Sequence, residues 1–264
     1  MPSESDPGPQ PARAAPLVRT EGDRRTLEFV PGDIQSEMLL SRPDALVLDY
    51  ARAMMCFALF SPQPRHIVMV GLGGGSLVKF CYRHFPQARI TVLEISAEVI
   101  ALRDQFHVPP DDARLRIIHA DAAGFITAEP GSCDVILVDG FDAAGMPPAL
   151  GSAAFYASCR RALRDGGVLV ANLLSYDPQY TALRSRIDSA FGGRVCQLDD
   201  IAGNNHILFA LRAPKPAPDL PPDAPLARTL ARHARWTKRR GLGFGWLNRL
   251  LAHAVVAWLA RRRV

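Results

Sequence analysis

No run of about 18 uncharged apolar residues occurs in the 264-residue chain, so no membrane-spanning helix is expected. The opening stretch MPSESDPGPQPARAAP has no apolar h-region, so no secretory leader is expected either, and a soluble cytoplasmic setting follows. Cysteine is sparse and unpaired. Cys56, Cys81, Cys133, Cys159 and Cys196 are odd in number and scattered, and four of them lie in apolar periodic stretches, which excludes a disulfide framework and a CxxC metal pair and predicts reduced core residues. The motifs GxxxxGK[ST], GxSxG and HExxH are missing, which removes a phosphate-loop NTPase, a hydrolase nucleophile elbow and a zincin. His66, His84, His119 and His206 are scattered without metal-ligand spacing, so no metal is expected. Acid is absent from one end. From Ala224 onward there are ten Lys/Arg and no Asp or Glu, so the net charge of +5 conceals a body, residues 1–223, of net −5.

What is present suffices for a full α/β core: 48% of residues are apolar and 22% charged. Residues 1–16, rich in Pro, Ser and Ala, read as a disordered lead. Residues 17–60 read as a small β-hairpin element, built from TLEFV, a turn at Pro31-Gly32-Asp33, IQSEMLL and ALVLDY, followed by a buried helix over 50–60. From 61 to 212, the apolar runs HIVMV, RITVLE, LRIIHA, CDVILVD and GVLVANLL lack period-two alternation, as strands buried on both faces do. Amphipathic stretches at 76–85, 97–106, 122–129 and 152–164 separate them, which predicts a doubly wound parallel sheet. After a helix at 178–191, RVCQLD and NHILFALR are too close together for a crossover, so an antiparallel pair should complete seven strands. The segment 213–225, with six prolines in thirteen residues, reads as a stiff linker. Beyond it lies a basic tail, 226–264, with amphipathic helices at 226–240 and 246–260.

In an open parallel sheet the ligand sits beyond the carboxyl ends of the strands, so the residues that end each apolar run are the candidates. The first run ends in Gly71-Leu72-Gly73-Gly74-Gly75-Ser76, the second in Glu94, the third in His119-Ala120-Asp121 and the fourth in Asp139-Gly140-Phe141-Asp142. Gly71, Gly73, Gly74 and Gly75 would let backbone approach a bulky ligand, although tight turns also use glycine for structural reasons alone. Glu94, about 20 positions on, can accept both hydroxyls of a ribose. A dinucleotide enzyme is disfavoured, because position 76 is Ser and no second mononucleotide-binding half follows. His119 lies nearest this rim, but a lone histidine there reads as a hydrogen-bonded spectator.

The stretch VMVGLGGGSLVKF, ITVLEISAEVI, LRIIHADAAGFI and CDVILVDGFDAAGMPPALGSAAFYASCRRALRDGGVLVANLL resembles, in order, the spermidine synthase family of aminopropyltransferases, from about Gln35 to Leu211. The resemblance implies an S-adenosylmethionine-dependent methyltransferase-like Rossmann fold. It also implies a nucleoside sulfonium co-substrate, decarboxylated S-adenosylmethionine or S-adenosylmethionine itself, and a small-molecule amine acceptor such as putrescine. Glu94 would hold the ribose, Asp121 the adenine amino group, and Asp139 would take the nucleophile's proton. An amine near pKa 10 arrives protonated at neutral pH, so a positioned carboxylate is a chemical need in its own right. Asp142 would hold the acceptor's ammonium end or, on the plainer reading, enters a turn. Gln35, in an Ile-Gln pair, and Tyr50 are acceptor-side candidates; Gln35 reads equally as a solvent-facing strand residue.

The chain departs from the family pattern in three places. Gly74 stands where the family has an Asp, only the Tyr of a Tyr-Gln-Glu signature is present at Tyr50-Ala51-Arg52, and Asp200-Ile201-Ala202-Gly203-Asn204 replaces a Tyr-Pro-Ser-Gly segment. Gly74 keeps a second reading open, a methyltransferase using S-adenosylmethionine. A non-catalytic nucleoside-binding or membrane-associated scaffold is the alternative of another class. The tail's apolar face, Trp246, Leu247, Leu250, Leu251, Val255, Trp258 and Leu259, has three candidate partners: the body or a second copy in a homodimer, an anionic membrane surface, and, least favoured, nucleic acid.

Overall fold

The computed structural model describes residues 15–126, 130–141, 145–202, 204–213 and 245–261. Most of the expected lead, nearly all of the linker and the helix at 226–240 lie outside them. The N-terminal part is an antiparallel three-stranded sheet, β1 (Leu17–Glu21), β2 (Arg24–Glu28) and β3 (Ile34–Leu39) in that order, in which β2 and β3 come from the expected TLEFV and IQSEMLL runs and β1 precedes them. ALVLDY is not a strand. The chain turns at Arg42, whose carbonyl accepts the Ala45 N–H at 3.0 Å, and α1 (Asp49–Met54) starts within the run, continuing as a 3₁₀ turn, Met55–Leu59. Ala51, Ala53, Met54 and Phe57 are buried there, as the apolar text demands.

The main sheet follows the sequence closely. Its strands are β4 (His66–Val70), β5 (Arg89–Glu94), β6 (Leu115–His119), β7 (Cys133–Val138), β8 (Leu163–Leu174), β9 (Val195–Ala202) and β10 (Asn205–Leu211), in the order β6-β5-β4-β7-β8-β10-β9. The first five are parallel, and β10 runs antiparallel to both β8 and β9, as the short 202–205 connection requires. The crossover helices are α2 (Ser76–His84), α3 (Ala97–Ala101), α4 (Ala122–Phe125), α5 (Ala153–Ala162) and α6 (Tyr180–Phe191). Helix α3 is shorter than the 97–106 stretch: from Leu102 the chain tightens into turns, with the Leu102 N–H donating to the Val99 carbonyl and the Arg103 N–H to the Ile100 carbonyl, both at 3.1 Å.

Strand residues alternate between two apolar layers, so both faces are covered. Ile67, Met69, Ile90 and Val92 pack toward α1, α2 and the last helix, α7 (Gly245–Arg261), while Val68, Val70, Leu93 and Ile136 pack toward α5 and α6. Cys56, Cys81, Cys133 and Cys159 are buried, Cys196 is half-buried, and all five are free; burial pushes the Cys56, Cys133 and Cys196 thiols up to about 12.

Helix α7 docks on the body. Its Ala252, Val255 and Leu259 are buried in the same layer as α1 and the 3₁₀ turn, while Leu250 and Trp258 face outward. Of the three partners open to the tail's apolar stripe, the body takes the greater part. Leu259 is fully buried (0% exposed), so Leu259→Ala should cost about 2–4 kcal/mol of stability, read as a lowered denaturant midpoint at unchanged m. A loss under about 0.5 kcal/mol would mean that α7 does not hold this position in solution. No helix among the described residues is long and apolar enough to cross a membrane.

Candidate functional site

The strand order sets the candidate residues side by side along the carboxyl rim: Asp121 after β6, Glu94 ending β5, the glycine turn after β4, Asp139 after β7 and Asn172 near the end of β8. Parallel strands in register bring their ends to one edge, so residues far apart in the text become neighbours.

The glycine turn is shaped first by the protein's own packing. Gly71 has φ +94°, and a Cβ there would run into the Asp139 carbonyl, with 3.0 Å to its carbon and 3.3 Å to the Gly140 Cα. At Gly74 a Cβ would lie 2.6 Å from Ser36 Oγ and 2.9 Å from the Phe106 ring, and at Gly75 it would strike Val108. Gly73 differs, since nothing lies closer than 3.8 Å to a Cβ there. Both uses of glycine in such a turn are therefore represented: close backbone approach at Gly71, and open room at Gly73.

Glu94 is buried (8% exposed), and its two oxygens are held separately. Oε2 accepts the Leu72 N–H at 2.8 Å and Oε1 accepts the Ser96 N–H at 2.8 Å. A carboxylate offers about four acceptor positions, so lone pairs are left for a diol. Asp121 lies one strand away, exposed, and caps α4 by accepting the Ala123 N–H at 2.9 Å. The rim between these two acids is tied by the Ala120 N–H donating to the Glu94 carbonyl at 2.9 Å. His119 Nε2–H donates to the Ile95 carbonyl at 3.1 Å, as a hydrogen-bonded spectator would.

Asp139 stands at the other half of the rim. Its backbone N–H donates to the Val70 carbonyl at 3.0 Å, fixing it against the glycine turn, and the Asn172 side-chain amide donates to its Oδ1 at 2.9 Å. The Tyr50 hydroxyl lies beside this carboxylate and favours its charged form. Burial raises the Asp139 carboxyl above its ordinary value, and the Asn172 bond and the Tyr50 hydroxyl pull part of the way back. Burial, with the Asp139 charge beside it, drives the Tyr50 phenol well above its usual range, so Tyr50 stays a donor. Tyr50 also reaches the Gln35 carbonyl (3.5 Å), while the Gln35 side chain donates to Asp33 Oδ2 at 2.9 Å. The structure thus brings Tyr50 onto Asp139 and Gln35 next to Tyr50. Asp142 lies outside the described residues.

Two groups of residues escaped the sequence reading. Asn172 and Asn205 form one; Asn205 donates from its amide to Asn172 Oδ1 at 2.9 Å. A lone Asn inside the apolar run GVLVANLL was the available signal. The other is the set facing Gly74, namely Ser36, Phe106 and, behind them, Lys79. The Lys79 side chain is 4% exposed and donates to the Phe106 carbonyl at 2.7 Å, and burial lowers it to about 8. Between pH 8 and 10.5 the folded state has lost this proton and the unfolded state has not, so Lys79 adds stability as pH rises through that window. The difference in unfolding free energy between wild type and Lys79→Met should accordingly move in favour of wild type, by on the order of 3 kcal/mol across it. A flat difference by denaturant titration would show that Lys79 is hydrated.

The fold and rim define an α/β protein of the methyltransferase-like class. The solved human methyltransferase-like protein 13 in complex with SAH superposes at a TM-score of 0.51 with 25% identity, covering 74% of this chain and 92% of that one. Residues 48–181 match the family described as the spermine/spermidine synthase domain, and the chain belongs to that family. Over 196 residues it is 39% identical to a polyamine aminopropyltransferase of Chromobacterium violaceum, covering 74% of this chain and 75% of the relative. A structure titled as a probable spermidine synthase from Corynebacterium glutamicum shares the fold at a TM-score of 0.67 and 22% identity, covering 86% and 90% of the two chains.

Proposed function

We propose that this chain is an aminopropyltransferase that moves an aminopropyl group from decarboxylated S-adenosylmethionine to a small amine acceptor, a diamine such as putrescine. The observation that carries this reading is the half-buried Asp139 carboxylate, raised by burial and fastened at the rim beside the glycine turn and Glu94. Glu94 accepts the ribose hydroxyls, Asp121 the adenine amino group, and the open side of Gly73 admits the nucleoside. The acceptor's ammonium gives its proton to Asp139. The freed nitrogen lone pair attacks the donor's methylene carbon opposite sulfur, the C–N bond forms as the C–S bond breaks, and the electron pair returns to sulfur as a neutral thioether. Gln35, Tyr50 and Asp142 belong to the acceptor side.

The test compares donors. Purified protein given putrescine with the decarboxylated donor should produce spermidine, and isothermal titration should show tighter binding of that donor than of S-adenosylmethionine. Methyl transfer from S-adenosylmethionine with no spermidine formed would reverse the assignment. Gly74 motivates that second reading, because the glycine turn presents no carboxylate there to repel a carboxylated donor. The packing adds that Gly74 cannot be converted simply, since a side chain at 74 meets Ser36 and Phe106.

A further inference from the structure

We infer that Asn172 and Asn205 are positioning residues that act in series on Asp139: Asn205 orients the Asn172 amide, and Asn172 in turn fixes one oxygen of the Asp139 carboxylate. The inference deepens the proposed function and rests on the reading of Asp139 as the group that takes the amine's proton.

The orientation of the series follows from donor and acceptor chemistry alone. An ionised carboxylate only accepts, so Asn172 must turn its NH₂ toward Asp139 Oδ1, at 2.9 Å. That leaves its own oxygen facing Asn205, which must then present an NH₂, at 2.9 Å. Neither amide can flip without setting like against like. Asn172 is 2% exposed, so water cannot take over either bond at little cost. Strand pairing makes the juxtaposition rigid: Asn205 opens β10 opposite Leu174 of β8, and Val138, the residue before Asp139, pairs with Ala171. Two amides on one pair of strands thus meet the end of a third.

The consequence is geometric and electrostatic. Among the described residues, the groups that bear on the Asp139 carboxylate are the Asn172 amide from β8 and the Tyr50 hydroxyl from α1. With Oδ1 tied by Asn172, the carboxylate cannot rotate about its Cβ–Cγ bond, and its remaining acceptor positions point in a set direction for an arriving ammonium. The Asn172 bond and the nearby Tyr50 hydroxyl also favour the charged form of the carboxylate, against the desolvation that opposes it.

The experiment uses the full-length protein and four forms: wild type, Asn172→Ala, Asn205→Ala and the double variant. Two readouts are followed, the pH profile of kcat for aminopropyl transfer and the titration of the Asp139 side-chain carboxyl carbon by NMR, assigned by its absence in Asp139→Asn. Asn172→Ala should lower kcat roughly 10- to 100-fold, the range of a lost hydrogen bond to a charged group, and move the acidic limb and the NMR midpoint to higher pH, with the donor KM unchanged. Asn205→Ala should shift both in the same direction by less, and the double variant should be no worse than Asn172→Ala, because a series has one path. An unmoved NMR midpoint in Asn172→Ala, or independent multiplication of the two single effects, overturns the inference. If the midpoint moves as expected yet Asp139→Asn retains full rate, the series stands as structure and the assignment of Asp139 as proton acceptor is what fails. Thermal unfolding of each variant separates these outcomes from misfolding: an unfolded Asn172→Ala is replaced by Asn172→Ser, which keeps a donor and should recover part of kcat.

Discussion

Asp139→Asn should lower kcat by about 10³-fold, within the range for removal of a general base, while leaving the donor's KM within about twofold. The amide is nearly isosteric and can keep an oxygen for the Asn172 amide, but it cannot take a proton from an ammonium. Raising the pH toward 10 should restore part of the rate, since the acceptor then loses its proton to solvent unaided. Stability should change in the opposite direction. Burial holds the folded carboxyl above its ordinary value, so wild type carries the cost of an ionised buried group once the pH exceeds that folded value. The variant should therefore be the more stable protein at neutral pH, and its advantage should fade as pH falls through the folded value and vanish below 3.8, where both states are protonated. A variant that loses activity and stability together at pH 7 would show that Asp139 is structural.

The second large effect is expected at Gly71. Gly71→Ala should cost about 3–5 kcal/mol, enough to unfold much of the protein, because two penalties act at one atom. An L-residue at φ +94° is strained by itself, and the added methyl enters the Asp139 backbone, which a flexible side chain would vacate and a central strand end will not. Gly73→Ala is the internal control. Its φ of +50° costs about 1 kcal/mol and its methyl meets nothing closer than 3.8 Å, so the protein should stay folded. Instead its donor KM should rise, if the nucleoside approaches that side. Equal denaturant midpoints for the two variants would contradict the close approach of β4 and β7.

The two residues illustrate how differently the parts of the site could be read. The strands HIVMV and RITVLE begin and end in the structure where the text places them, because a strand buried on both faces is mostly apolar and the glycine turn after Val70 and the acid Glu94 close the two runs. Glu94 and Asp139 were legible for the same reason, as acids directly after such runs. ALVLDY looked equally strand-like and is not one, since apolar content alone does not supply a neighbouring edge to pair with; α1 begins within it instead. Tyr50 was found only through the family resemblance. Its place beside Asp139 joins an N-terminal helix to a strand end almost ninety residues later, and no local pattern encodes such a meeting.

The parallel sheet, the antiparallel closing pair and the candidate rim were already legible in the amino-acid text, because burial on two faces, turn glycines and strand-end acids are local and periodic signals. Tertiary structure alone decided that β7 lies between β4 and β8, that Asn205 reaches Asp139 through Asn172, that Ser36 and Phe106 close over Gly74, and that α7 covers the 3₁₀ turn. Those arrangements depend on which surfaces meet across the chain, and a hydrogen bond or a clash exists only once the partner has been brought to within a few ångströms.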